Sequence, residues 1–241
     1  MKKLVLAFAV ASTFATGIAH ADDAKPDNDV SFNVGVATDY RYRGISQSRL
    51  DPALQGGADY VNNPTGLYAG TWLSTIHWIE DQGGSDNIEW DLYAGKRGNF
   101  TDDLSYDVGV LSYVYPNNAL TPSTNTTELY GQLSYGPVYA KYSYSLTNLF
   151  GFNDSKGSGY IDLGGNFDVG NGWTINVHGG RQTVSNNSAF SYTDWKLGVT
   201  KDFGVFSGAL AVVGTNTKQY VGPEGENLGK TALVASVTKT F

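Results

Sequence analysis

Charged side chains two residues apart recur along this chain: Asp39, Arg41 and Arg43, then Glu89 and Asp91 with Arg97 six residues on, then Asp194 and Lys196. Alternate residues of an extended chain share a face, so each set would project its charges from one side of a strand. Asp107, Glu128 and Lys141 hold the same kind of position in other alternating segments. Both signs are present. Opposed charges across a narrow water column select ions and solutes, and that is the chemistry this pattern supports.

Catalysis finds less support. A triad needs nucleophile, base and orienter in mutual hydrogen-bond reach, yet after residue 21 the chain has only His77 and His178, and no serine sits in a nucleophile motif. His77 reads as outward-facing near a loop. His178 shares a face with Asn176 and can meet Asp194 or Lys196 on the next strand, the role of an ordinary polar side chain. Gly225-Glu226-Asn227-Leu228-Gly229-Lys230-Thr231 has three residues between its glycines where a phosphate loop has four, and it leads into a strand rather than a helix. The loop acids Asp81, Asp86, Asp154, Glu224 and Glu226 lack metal-loop spacing. Neither a catalytic residue nor a metal or other cofactor is expected.

The elements that must carry the charges are strands. From residue 30 to 43, Phe32, Val34, Val36, Thr38, Tyr40 and Tyr42 alternate with Asn33, Gly35, Ala37, Asp39, Arg41 and Arg43. This period-2 run is far longer than the usual soluble strand of ~5–6 residues. Strands follow at about 52–61, 66–78, 87–97, 104–115, 126–135, 138–146, 159–169, 173–183, 191–200, 205–214 and 230–241, which makes twelve with the first. Short turns at 62–65, 98–103, 136–137, 170–172 and 201–204 alternate with longer polar loops at 44–51, 79–86, 116–125, 147–158, 185–190 and 215–229. An even strand count with short turns at one end and long loops at the other is the arrangement of a transmembrane antiparallel β-barrel. Phe100, Tyr135, Trp173, Phe203 and Phe241 sit beside the short turns, where an aromatic girdle would meet the lipid boundary. Leu233, Ala235 and Val237 alternate toward the terminal Phe241, with Lys239 placed to snorkel at the membrane edge.

Composition agrees once the amino terminus is set aside. Lys2 and Lys3, the apolar run 4–19 and the small-x-small site Ala19-His20-Ala21 form a secretory signal peptide. Its apolar run is too short for the roughly 20 residues of a spanning helix. Without the two signal lysines the 16 basic residues fall to 14 against 23 acidic ones, a net charge of −9 that argues against nucleic-acid binding. There is no cysteine, so neither a disulfide nor a thiolate metal site is available. Mean hydropathy is −0.26, as a barrel allows, because half of each crossing strand faces inward. Lipid offers no hydrogen bonds, so an extended chain crosses only if its last strand pairs with its first.

The segment Thr38-Asp39-Tyr40-Arg41-Tyr42-Arg43-Gly44-Ile45-Ser46-Gln47-Ser48, followed by Pro52-Ala53-Leu54-Gln55-Gly56-Gly57-Ala58-Asp59-Tyr60, resembles the opening of the TorF family of bacterial outer-membrane porins. Gly66-Leu67-Tyr68-Ala69-Gly70-Thr71-Trp72, Glu89-Trp90-Asp91-Leu92-Tyr93-Ala94-Gly95 and Tyr113-Val114-Tyr115-Pro116 carry the resemblance through the amino-terminal half. It implies a porin-type barrel in a Gram-negative outer membrane and assigns no catalytic residue.

The expected protein is an all-β, up-and-down barrel of 12 strands over residues 22–241, after a signal peptide at 1–21. It would sit in the bacterial outer membrane with both termini periplasmic. Its expected role is passive diffusion of small hydrophilic solutes or ions; the alternative is a plugged structural or adhesive barrel acting through its outer loops. The pore-lining candidates are Asp39, Arg41, Arg43, Glu89, Asp91, Arg97, Asp107, Glu128, Lys141, Asp194 and Lys196, with Arg41 and Arg43 expected to face acids across the barrel. Inward tyrosines such as Tyr93, Tyr130 and Tyr139 would narrow the lumen. Twelve strands fall between the eight-stranded barrels filled by side chains and the 16-stranded open porins. The partners are membrane lipid and the solute. No residue pattern marks a subunit face.

Overall fold

The computed structural model describes residues 26–241, so the expected signal peptide at 1–21 lies outside the described residues. In chain order the strands are β1 (Asn28–Ala37), β2 (Arg41–Tyr42), β3 (Ile45–Ser46), β4 (Ala53–Asn62), β5 (Leu67–Thr75), β6 (Ile88–Asn99), β7 (Leu104–Val114), β8 (Thr126–Tyr135), β9 (Val138–Ser145), β10 (Gly159–Gly170), β11 (Trp173–Thr183), β12 (Tyr192–Asp202), β13 (Ser207–Thr215) and β14 (Ala232–Thr240). Strands β1 and β4 to β14 form one closed antiparallel barrel of twelve, each paired with its chain neighbours, while β2 and β3 pair only with each other. Closure joins β14 to β1, with Asn33 opposite Thr240 and Val36 opposite Val237, and the Phe241 amide donates to the Phe32 carbonyl at 2.8 Å. The barrel sheet has no free edge, which removes the unpaired backbone groups that lipid cannot satisfy.

The alternation in sequence becomes an apolar outside and a polar inside. Phe32, Val34 and Val36 on β1, Leu129 and Leu133 on β8, and Ile161 and Leu163 on β10 are exposed outward. Gln55, Asp107, Glu128, Tyr160 and Asp194, one residue out of phase with such neighbours, are buried inside. Phe100, Tyr135, Trp173, Phe203 and Phe241 are all exposed at the short-turn end, where the girdle was expected. There the Lys239 ammonium lies 4.7 Å from the centre of the Phe241 ring. Among the described residues no helix is long and apolar enough to cross a membrane.

Two strand ends differ from the sequence reading by more than two residues. The run 30–43 does not continue as one strand: β1 stops at Ala37, and residues 38–52 turn into the barrel. Alternation persists there, but Tyr40, on the apolar phase of the run, is 1 % exposed because the loop packs on both faces. Similarly, the strand expected at 66–78 ends at Thr75. Residues 78–81 form a short helix, α1 (Trp78–Asp81), and Ile76 and Ile79 are buried under the long loops. His77 therefore leaves the wall and approaches Glu80 at 3.2 Å.

Inside the wall, tyrosines lie across glycines of adjacent strands. Tyr93 faces Gly70 and Tyr68 faces Gly95 between β5 and β6. Tyr130 faces Gly109 and Tyr139 faces Gly164. At each of these glycines an added Cβ would collide with the ring or hydroxyl opposite. The missing side chains let the rings lie along the wall rather than stand into the lumen, a close-approach use of strand glycine.

Candidate functional site

All eleven candidate residues project to the interior. Asp39, Arg41, Arg43, Glu89, Asp91, Asp107, Glu128 and Asp194 are buried there, and Arg97, Lys141 and Lys196 are half-buried. They do not form one ring. Asp39, Arg41 and Arg43 ride on the inward-folded loop, whereas the other eight belong to the barrel wall.

The loop is built around a two-residue hairpin. Arg41 pairs with Ser46 and Tyr42 with Ile45, leaving Arg43 and Gly44 at the tip with φ of 46° and 79°. Positive φ at both central residues is what a type I′ turn requires. Gly44 is also needed for fit, since a Cβ there would come within 2.6 Å of Thr215 Cγ2 and 2.8 Å of Asp194 Cβ. Asp39 holds the stem: Arg41 Nε donates to it at 2.5 Å and Ser46 Oγ at 2.6 Å. The Tyr40 amide donates to Ser48 Oγ at 2.9 Å.

Three sets of contacts seat this hairpin. Arg41 Nη1 lies 2.9–3.0 Å from the carbonyl oxygens of Gly44, Leu228 and Lys230, and the Ser46 amide donates to Leu228 at 3.0 Å, which ties the stem to the last long loop. Ile45 packs with Tyr192 and Leu228. On the other side Tyr40 donates to Glu89 at 2.5 Å, Tyr42 meets the Tyr113 hydroxyl at 2.7 Å, and Tyr42, Tyr113 and Phe150 pack edge to face. At the tip, Arg43 donates through both Nη atoms to Glu128 at 2.6 and 3.1 Å and to Gln182 Oε1 at 2.6 Å. Its guanidinium also lies 4.2 Å from the Tyr160 ring centre. The loop leaves the wall at β1 and reaches β8, β10 and β11, so it spans the lumen near the long-loop end.

Deeper in the wall a second network forms. His178 places Nδ1 2.7 Å from Asp162 and Nε2 2.6 Å from Asp194, bridging β10 and β12. Tyr160 donates to Asp194 at 3.0 Å and connects this bridge to Arg43. Tyr68 donates to Asp107, and Tyr93 to Asp59, each at 2.6 Å. The Lys141 ammonium lies 4.2 Å from the Tyr130 ring centre. Among the described residues no group of three or more His, Asp or Glu side chains is placed to hold a metal ion.

Over residues 21–241 the sequence matches the family described as bacterial protein of unknown function, Gcw_chp. The chain belongs to the Gcw_chp family. Comparison with curated proteins finds no match. Among solved structures, the NanC porin aligns with a TM-score of 0.57 at 11% identity, covering 88% of this chain and 99% of that one. The KdgM porin in complex with disordered oligogalacturonate gives a TM-score of 0.55 at 6% identity, covering 88% and 98%. At such identities the likeness concerns the fold: this Gcw_chp chain is a barrel of porin type.

Several interior residues of this Gcw_chp barrel are not among the eleven candidates. Asp59, Asp162, Tyr160 and Gln182 sit on inward phases and were legible by the alternation that found the other charges. Ser46 and Ser48 were not, because a loop's inward fold leaves no periodic mark. The one local signal was Arg43-Gly44, a pair suited to a tight turn.

Proposed function

We propose that this protein is an outer-membrane channel for passive diffusion of small hydrophilic solutes or ions, with the short turns and both termini on the periplasmic side and residues 1–21 removed on export. The observation that carries the reading is the hairpin across the lumen, whose Arg43 is held by Glu128 and Gln182. A passage beside such a loop would be bounded by fixed charges of both signs, and a passage of that kind sorts solutes by size and charge. The porin-type fold and the resemblance to the TorF porins support the same role. No step of bond-making is assigned to the chain.

The interior composition favours neutral and cationic solutes. Asp59, Glu89, Asp91, Asp107, Glu128, Asp162 and Asp194 outnumber Arg97, Lys141, Lys196 and His178 on the wall, and on the hairpin Asp39 offsets one of two arginines. The oligogalacturonate named with the KdgM structure is a polyanion, which this wall would repel. A second reading, a closed barrel that works through its outer loops, is favoured by the tight seating of Tyr40 and Ile45, 1 % and 5 % exposed. Solute entry into vesicles containing the refolded protein separates the two. Channel function predicts that small polyols and amino sugars enter faster than a uronate of similar size; no entry of any of them, from folded protein, supports the closed barrel.

A further inference from the structure

Two carboxylates follow one another on the inward face of β6, Glu89 and Asp91, at 2 % and 0 % exposure. Glu89 is satisfied, since Tyr40 and Tyr115 donate to its two oxygens at 2.5 and 2.7 Å. Asp91 is not: neither of its carboxylate oxygens has a hydrogen-bond partner. The charges that bear on it are Glu89 and Glu128, both negative, and Glu128 is already matched by Arg43. Its partners in register are Trp72 on β5 and Tyr113 on β7, both buried and neutral. Two carboxylates thus share one face on which the Tyr40 and Tyr115 hydroxyls serve Glu89 and no donor reaches Asp91, and burial of an unpaired carboxylate is strongly unfavourable.

We propose that Glu89 and Asp91 form a buried site for a hard divalent cation, with Ca²⁺ as the class that fits. Carboxylate and hydroxyl oxygens are hard donors, and a charge of two balances the pair. Asp91 is closed to anything the size of water, which disfavours Mg²⁺ because that ion keeps several of its waters. Ca²⁺ accepts irregular oxygen sets drawn from the protein itself. The donor set is the two carboxylates together with the Tyr40 and Tyr115 hydroxyls, so the bound ion would also fasten the hairpin, through Tyr40, to β6. This site does not depend on whether the barrel conducts, and a bound ion would cancel the charges that Glu89 and Asp91 add to the wall.

The test uses the refolded mature protein, freed of metal with a chelator and titrated with CaCl₂ and separately with MgCl₂ while thermal unfolding is followed. Ca²⁺ should raise Tm by about 3 °C or more, Mg²⁺ by less, and Asp91→Asn should abolish the Ca²⁺ shift while leaving metal-free Tm equal to or above wild type. Asp154→Asn, on a loop, should keep the shift. Tb³⁺ luminescence excited through Trp72 and the adjoining tyrosines gives a second readout, with loss of signal expected in Asp91→Asn. No Ca²⁺ shift in wild type, or an unchanged shift in Asp91→Asn, overturns the proposal. A Tm that rises on acidification without any Ca²⁺ dependence would instead identify a protonated buried carboxyl.

Discussion

Arg43 and Glu128, 85 residues apart in sequence, form a two-bond fork inside the barrel with 6% and 3% of their side chains exposed. One is at the tip of a loop and the other is fixed in the wall. Their pairing turns a flexible connection into a bar across the lumen.

Removal of one partner strands the other. Arg43→Ala leaves Glu128 buried and Gln182 without its donor, and breaking a buried ion pair typically costs 3–5 kcal/mol. The expected result is a lower urea midpoint for the folded barrel in detergent, together with a larger unit conductance as the hairpin loosens. Arg43→Met combined with Glu128→Leu should recover most of the stability without restoring the original conductance.

Charge reversal tests the same bar by selectivity. Arg41→Glu and Arg43→Glu should each move the reversal potential in a KCl gradient toward cation preference, Arg43→Glu more strongly because its side chain reaches the opposite wall. Unchanged potentials in both variants would remove these residues from the permeation path.

The tyrosine over glycine arrangement predicts a narrowing. At Gly164 an added Cβ would lie 2.5 Å from the Tyr139 hydroxyl, and its three nearest neighbours all belong to the Tyr139 side chain. Gly164→Val should therefore swing Tyr139 into the lumen, lowering conductance while far-ultraviolet circular dichroism stays that of the wild-type barrel.

The outer face makes its own prediction. Leu163 is 55% exposed on the apolar side of β10, and an arginine at the bilayer midplane of a barrel costs ~2–4 kcal/mol. Leu163→Arg should lower the unfolding free energy in lipid vesicles by about that amount, whereas Lys156→Glu in a long loop should leave it unchanged.

Much of this structure was legible because a barrel writes itself in period two. The alternation at Phe32, Val34 and Val36 and the Asn, Gly and Pro turns located the twelve strands, and parity placed Glu89, Asp107 and Asp194 on the inside. What parity could not show is where a strand stops. Asp39, Arg41 and Arg43 keep the period of β1 into the hairpin, so the sequence reads as one long strand, although Asp39 and Ser46 bond within the loop instead. The Asp162, His178 and Asp194 bridge depends on register, which is a relation between strands and has no local signature. Tight seating at Gly44 depends on Thr215, far along the chain, for the same reason.

Single-channel recording in a planar bilayer decides whether the lumen conducts, with the refolded mature protein compared with Arg43→Ala and with a heat-unfolded sample. A conducting lumen gives small, discrete, cation-preferring steps from wild type, larger steps from Arg43→Ala, and none from the unfolded control. Silence from wild type and Arg43→Ala alike, with both proteins shown to be folded, would contradict it.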